Sequence, residues 1–324
     1  MSAPPAPSTM TRPELVEASR LAIKRGSKSF SAASRLFDRT TRERVWMLYA
    51  WCRRCDDLTD AQDMGGELGD QSDIAAKVEL IRSLTAKALA GEETGDIAFD
   101  AFGQVANEVG LTIDDAEAVI AGFQLDAEDW RPRTEADLMR YCWHVAGAVG
   151  VMMALVMGVK REDADTLDRA CDLGLAFQLA NIARDVMEDD AAGRCYLPAI
   201  WLVEEDIEPG QHAKPHYRQE LADMAARLVR RMQVHAASSR IGAARLPFRC
   251  RWAILSAARI YTAIGREVLA KGPAAWDHRV YTSKVQKIGH ALAAFAEALV
   301  NRPPQLDDEP RWRRSDLAEN AASA

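Results

Sequence analysis

The chain is short of cysteine, has no surplus of positive charge and carries no basic, apolar leader at its start, and each shortage removes a class of protein. Six cysteines in 324 residues (Cys52, Cys55, Cys142, Cys171, Cys195, Cys250) follow no regular spacing. That excludes a disulfide-dense secreted scaffold and fits a reducing compartment. Cys52 and Cys55 form a C-x-x-C, but no second pair and no nearby histidine completes a tetrahedral zinc site, so packing is the expected role. With 41 Lys+Arg against 48 Asp+Glu, a net charge of -7, the cationic footprint demanded by a phosphate backbone is missing, and no nucleic-acid partner is expected. Residues 1–10 have neither a basic start nor an apolar stretch, so a cytoplasmic location is expected. No Gly-rich strand-to-helix fingerprint for a dinucleotide occurs either.

Long hydrophobic runs are equally scarce. One segment, 141–159 (YCWHVAGAVGVMMALVMGV), carries no formal charge and approaches the roughly 20 residues that a bilayer requires. It contains His144, is heavy in Gly and Ala, and has no partner span. A helix that is apolar all round is also what the centre of a large helical protein needs, and that is the expected role. Peripheral membrane contact elsewhere stays open, as does oligomeric state.

Two-residue alternation, the signature of half-buried strands, is missing throughout. From Leu15 to Val300 apolar residues instead recur at three- and four-residue intervals among abundant Ala, Leu, Arg and Glu, which predicts an all-α protein. Turn residues cluster at 64–70, 91–95, 110–114, 130–134, 193–198, 208–215 and 272–273, and none of these breaks is long enough for a domain linker. One domain over 15–300 is therefore expected, with disordered segments at 1–14 and 301–324. A chain of this length buries roughly three quarters of its unfolded surface without help from disulfides or metal.

What the sequence does have is one acidic pattern, twice. In YAWCRRCDDLTD (49–60), Asp56 and Asp60 stand four apart, which on a helix places them on one face about 6 Å apart. Stepping back along that face reaches Arg53 and Tyr49. Asp57 lies about 100° round and is the weaker candidate. In DLGLAFQLANIARDVMEDD (172–190), Asp185 and Asp189 repeat the spacing, and Asn181 and Gln178 extend the stripe backward between Leu175, Phe177, Leu179 and Ile182. Buried polar groups without partners are costly, and like charges at i, i+4 repel, so this stripe needs either partners or a cavity with a cation in it.

Oxygen donors without His or thiolate suit hard Mg²⁺ (or Mn²⁺), which takes one or two carboxylates and fills its other positions with water and phosphate. With Arg53, Arg184 and Arg194, the two faces describe a diphosphate receptor. A single D-x-x-x-D is weak, because acidic pairs on solvated helix faces are common; two, each embedded in apolar helix, are not. Asp63, Asp70, Asp114 and Asp115 lie in turn-rich segments and keep a solvated reading.

Taken together these residues resemble the squalene and phytoene synthases, the head-to-head class of trans-isoprenyl diphosphate synthases. The likeness runs from about 27 to 284. It rests on Ser27-Lys28-Ser29-Phe30, the first acidic motif with Tyr49 and Arg53, 141–150, 172–189, Arg194-Cys195-Tyr196-Leu197-Pro198 and Ala258-Arg259-Ile260-Tyr261. FQLANIARDVMEDD followed by GRCYLP is most similar to the bacterial phytoene synthases. The resemblance implies an all-α, single-domain isoprenoid synthase (class I terpenoid synthase) fold whose central cavity holds two prenyl diphosphates. By position it implies Asp56, Asp60, Asn181, Asp185 and Asp189 as metal ligands, with Arg53 and Tyr49 in the catalytic group. Ser27, Lys28, Ser29, Phe30, Gln178, Arg184, Arg194, Tyr196 and Tyr261 are implied as substrate contacts. Gly26 stands where relatives carry His, so no side-chain role is assigned there, nor to Trp130 and Trp143.

The implied reaction is the 1'-1 condensation of two geranylgeranyl diphosphates to phytoene through prephytoene diphosphate, a step of carotenoid biosynthesis, with Mg²⁺ and without NADPH. A farnesyl diphosphate enzyme of the dehydrosqualene or squalene type is the alternative, because chain length depends on cavity depth. A non-catalytic acidic helical scaffold is the rival from another class, and it leaves the Gln178, Asn181, Asp185 and Asp189 stripe unexplained.

Overall fold

The computed structural model describes residues 10–60, 73–128, 130–305 and 311–319, and the expected turns and aspartates at 61–72 lie outside them. Among the described residues every regular element is helical. Helix packing groups the chain into two compact units, 1–117 and 118–324.

The first unit holds α1 (Arg12–Gly26), α2 (Lys28–Ala33), α3 (Arg39–Thr59), α4 (Ile74–Leu89) and α5 (Ile97–Val109). Helix α1 starts at Arg12 rather than beyond residue 14, because the Glu14 carboxylate accepts hydrogen bonds from the Thr11 backbone N–H and hydroxyl, both at 2.7 Å, satisfying a donor that the first helical turn leaves orphaned. Helix α3 buries Val45, Leu48, Trp51 and Cys55. Trp51 stacks on Phe102 of α5 at 4.3 Å and donates to the Thr85 hydroxyl of α4, so one side chain joins three helices. Cys55 is a packing residue, as expected. The opposite face of α3, with Tyr49, Arg53, Asp56 and Asp60, stays partly exposed.

Helix α6 (Ile113–Ala127) begins in the first unit and ends in the second, which continues through α7 (Glu135–Cys142), α8 (Ala148–Val156), α9 (Ala164–Ala191), α10 (Ala199–Glu204), α11 (Arg218–Ala243), α12 (Phe248–Lys271), α13 (Lys284–Val300) and α14 (Arg314–Glu319). Helix α9 is the axis, packed by α8, α11 and α12. The stretch 135–156 is long and apolar enough to cross a membrane, yet 67% of its apolar window is buried inside the protein, which matches the expected core helix. Its glycines have a local cause. A Cβ at Gly150 would sit 2.4 Å from the Ala170 carbonyl oxygen, and one at Gly174 would sit 2.2 Å from that of Ala146. Helices α8 and α9 therefore meet backbone to backbone, an approach that any side chain forbids. One wide π-helical turn at Trp143–Gly147 joins α7 to α8.

The tail corrects an expectation. Rather than being disordered throughout, it contributes α14, whose Leu317 is only 1% exposed. Arg314 pairs with Asp168 at 2.7 Å, and Arg311 lies 3.4 Å from Asp172. Asp172 is itself buried on α9 and accepts hydrogen bonds from His235, at 2.7 Å, and from the Ser238 hydroxyl of α11. The segment looks polar in sequence because its anchors are two guanidinium groups and a single leucine.

Gly174→Ala should cost about 1–3 kcal/mol of stability, the usual range for an overpacked core. A chemical denaturation midpoint unchanged from the parent would refute the backbone contact.

Candidate active site

In the first unit the geometry starts at the α1–α2 junction. Ser27 caps α2 by accepting the Phe30 backbone N–H at 3.2 Å, Lys28 is exposed, and the side chain of Ser29 lies outside the described structure. The Phe30 ring stands 6.2 Å from that of Tyr49. Gly26 acquires a role that its sequence position did not suggest: a Cβ there would lie 2.6 Å from the Tyr49 hydroxyl. The bare glycine is what admits the end of the tyrosine. Burial, reinforced by Asp56 and Asp57 against the opposing Arg53, pushes the Tyr49 hydroxyl up to about 12, so it stays protonated and available as a donor.

Arg53 donates Nε and Nη2 to Asp57 Oδ1, at 2.9 and 2.5 Å, while Asp56 lies 4.0 Å from Nη1. Asp57, ranked low in the sequence, is thus the buried carboxylate that fixes the guanidinium. The i, i+4 spacing from Arg53 was the signal; angular position relative to Asp56 misled, because a long arginine side chain reaches across the helix surface. Asp56 is left half-exposed, with 46% of its side chain open.

In the second unit Gln178, Asn181, Arg184, Asp185 and Asp189 form a partly exposed stripe on α9, flanked by buried Leu179, Ala180, Ile182, Ala183 and Val186. Asp185 is held by two guanidiniums, Arg184 beside it (Nε at 2.7 Å) and Arg279 (Nη2 at 2.9 Å). Burial and the neighbouring Asp185 push the Asp189 carboxyl up to about 7, and Arg194 opposes them only in part. Tyr261 of α12 stacks on Phe177 at 3.9 Å and lies near Arg184. Tyr196 stacks on Tyr141 at 4.7 Å, and both hydroxyls donate to Asp126, at 3.1 and 3.2 Å. Asp126, Tyr141 and Arg279 were not among the expected site residues. Only their partners reveal them, since none shares a helix face with the motif.

Do these residues suit a hard divalent cation? Among the described residues no three of His, Cys, Asp and Glu converge into a ready-made cage, which argues against an all-protein site such as zinc or calcium uses. The donors that do occur are carboxylate and amide oxygens, and the Asp189 carboxyl is pushed up by burial and by Asp185, with Arg194 opposing in part. Such a set fits Mg²⁺, which needs few protein ligands when phosphate supplies the rest. Asp56 and Asp60 in the first unit, and Asn181, Asp185 and Asp189 in the second, are the residues that would hold such ions.

The squalene/phytoene synthase family model matches residues 23–286. The chain belongs to this family. It is 43% identical over 309 residues to a 15-cis-phytoene synthase of Pantoea ananas, covering 94% of this chain and 99% of that protein. It is 45% identical over 278 residues to a 15-cis-phytoene synthase of Enterobacter agglomerans, covering 86% and 94%. A solved dehydrosqualene synthase in complex with ligand superposes with a TM-score of 0.78 at 25% identity, over 89% of this chain and 98% of that one. The all-α isoprenoid synthase fold and the membership expected from the motifs are thereby established.

The Gly26–Tyr49 contact is testable by a double-mutant cycle. Gly26→Ala should destabilise by about 1–3 kcal/mol, and most of that cost should vanish in the Tyr49→Phe background, where the clashing hydroxyl is gone. Additive effects would refute the contact.

Proposed function

We propose that the protein is a prenyltransferase that joins two geranylgeranyl diphosphates head to head, releasing diphosphate and forming phytoene by way of prephytoene diphosphate. The observation that carries this reading is the α9 stripe, a line of amide, carboxylate and guanidinium groups left partly open beside the buried Leu179, Ile182, Ala183 and Val186 of the same helix. Relatives at 43–45% identity bear the name phytoene synthase, which favours the C20 substrate over the C15.

The residues divide the work. Arg53, Arg184 and Arg194 bind diphosphate oxygens as fixed cations, and Asp57 positions Arg53 through its buried ion pair. Asn181 and the four aspartates would hold Mg²⁺, which supplies Lewis-acid neutralisation of the leaving diphosphate when bound. Ionisation leaves an allylic cation, and no side-chain nucleophile is needed, because the alkene of the second substrate attacks. Proton loss then closes the cyclopropane; departure of the second diphosphate, rearrangement of the resulting cation and a second proton loss leave the central double bond of phytoene, with two diphosphates released in all. The rings of Phe30, Tyr49, Tyr196 and Tyr261 give cations an electron-rich face, each contributing up to about 2 kcal/mol when desolvated. Ser27, Lys28, Ser29 and Gln178 complete the substrate contacts. The reaction needs no hydride donor, so NADPH has no role.

Asp56→Ala, Asp60→Ala, Asp185→Ala and Asp189→Ala should each lower turnover by about a thousandfold or more while circular dichroism stays that of the parent. Activity within tenfold of the parent in any of them would remove that residue from the ligand set. The substrate assignment is settled by incubating the enzyme with Mg²⁺, without NADPH, and with geranylgeranyl or farnesyl diphosphate. A C40 hydrocarbon formed in preference to a C30 one is expected, and preference for the C15 substrate would establish the dehydrosqualene type instead.

A further inference from the structure

Helix α13 presents solvent with a face that soluble surfaces rarely carry. Val285, Ile288, Leu292, Phe295 and Leu299 are exposed, the first four of them by 80%, 61%, 65% and 37%. At 3.6 residues per turn these five positions fall within about 80° of one another. Gly289, Ala293, Ala296 and Val300 widen the same side and are exposed as well. The helix turns Ala294 and Ala298 inward, against Ala243 and Leu255, and Arg240 and Arg259 draw its one acidic residue, Glu297, toward the protein at 2.9 and 2.7 Å. No described segment covers the stripe. Helix α14 packs elsewhere, against α7 and the π-helical turn.

Charge indicates what covers it. Residues 240–302 contain eleven Lys and Arg against three Asp and Glu in a chain whose total is -7; Arg245 and Arg279 are paired with Asp165 and Asp185 outside the segment, and the remaining cations still outnumber the acids. Lys284 stands exposed at the start of α13 and Arg302 just past its end. Along the helix's flank a cavity of about 300 Å³ is lined by Arg240, Arg259, Arg266 and His290, with Glu267 the one acid among its lining residues. An apolar stripe framed by cations is the pattern of a helix that lies in a membrane interface, with its hydrocarbon face among acyl chains and its basic rim against anionic headgroups. A second copy of the chain fits poorly, because docking stripe to stripe would set the exposed cations at the ends of α13, Lys284 and Arg302, against those of the other copy.

We infer that the outward face of α13 is a membrane-docking surface, which seats this otherwise acidic protein on a bilayer containing anionic phospholipid. The inference stands on surface shape and charge and does not depend on the reaction assigned above.

The test is flotation of the full-length protein with vesicles of phosphatidylcholine alone and of phosphatidylcholine mixed with phosphatidylglycerol. Wild type should bind the mixed vesicles and lose binding as salt is raised. A variant combining Ile288→Ser, Leu292→Ser and Leu299→Ser changes only exposed positions and should keep the parent's circular dichroism and thermal midpoint, while its binding falls by about tenfold or more. Lys284→Glu with Arg302→Glu, which leaves the stripe intact, should weaken binding to the anionic vesicles and leave any binding to pure phosphatidylcholine unchanged. Wild type that ignores anionic vesicles, or a folded stripe variant that binds as wild type does, overturns the inference. So does a wild-type dimer in sedimentation velocity that the stripe variant abolishes, which would assign the face to self-association.

Discussion

Two carboxylates one helical turn apart on a half-buried helix face repel each other, and partial burial weakens the screening that water would supply. On α9 this conflict is only half resolved by protein groups. Asp185 has two guanidiniums, whereas burial and Asp185 push the Asp189 carboxyl up to about 7 and Arg194 opposes them only in part. A group that the fold leaves short of positive charge is a place prepared for a cation, and the surrounding structure serves to keep it that way. Backbone contact at Gly150 and Gly174 locks α9 against α8, and the buried Asp172 locks it against α11. The polar stripe cannot escape its setting by moving the helix.

The first unit solves a related problem differently. There the arginine is neutralised from within by Asp57, and Asp56 stays open to solvent. A guanidinium with one carboxylate already on its Nε side keeps its other donors in a fixed direction, so it can meet an anion without first losing side-chain freedom. Gly26 has a comparable function for Tyr49, because the missing side chain decides where the phenol can lie.

How much of this was legible in the sequence follows from the range of each interaction. The all-helical class and the α9 stripe are written in three- and four-residue periods, and both reappear in the structure. The metal-ligand candidates belong to that same local code. Asp57 was within reach of it, but angular position was weighed and side-chain length was not. Arg279 and Asp126 were beyond it, since each meets its partner across tens of residues of intervening chain. The tail failed for another reason: composition registers how few apolar residues a segment has, not whether one leucine and two arginines find buried partners. The net charge of -7 conceals local structure of both signs, two aspartate pairs proposed to receive a cation and a run of cations over residues 240–302.

The central claim is that the two aspartate pairs act through bound divalent cation. It is tested most directly by anomalous diffraction from crystals grown with Mn²⁺ and a non-hydrolysable thio-analogue of geranylgeranyl diphosphate. The account predicts Mn²⁺ peaks ligated by carboxylate oxygens of both D-x-x-x-D motifs and by the analogue's diphosphate. A bound analogue with no metal at either motif would contradict it.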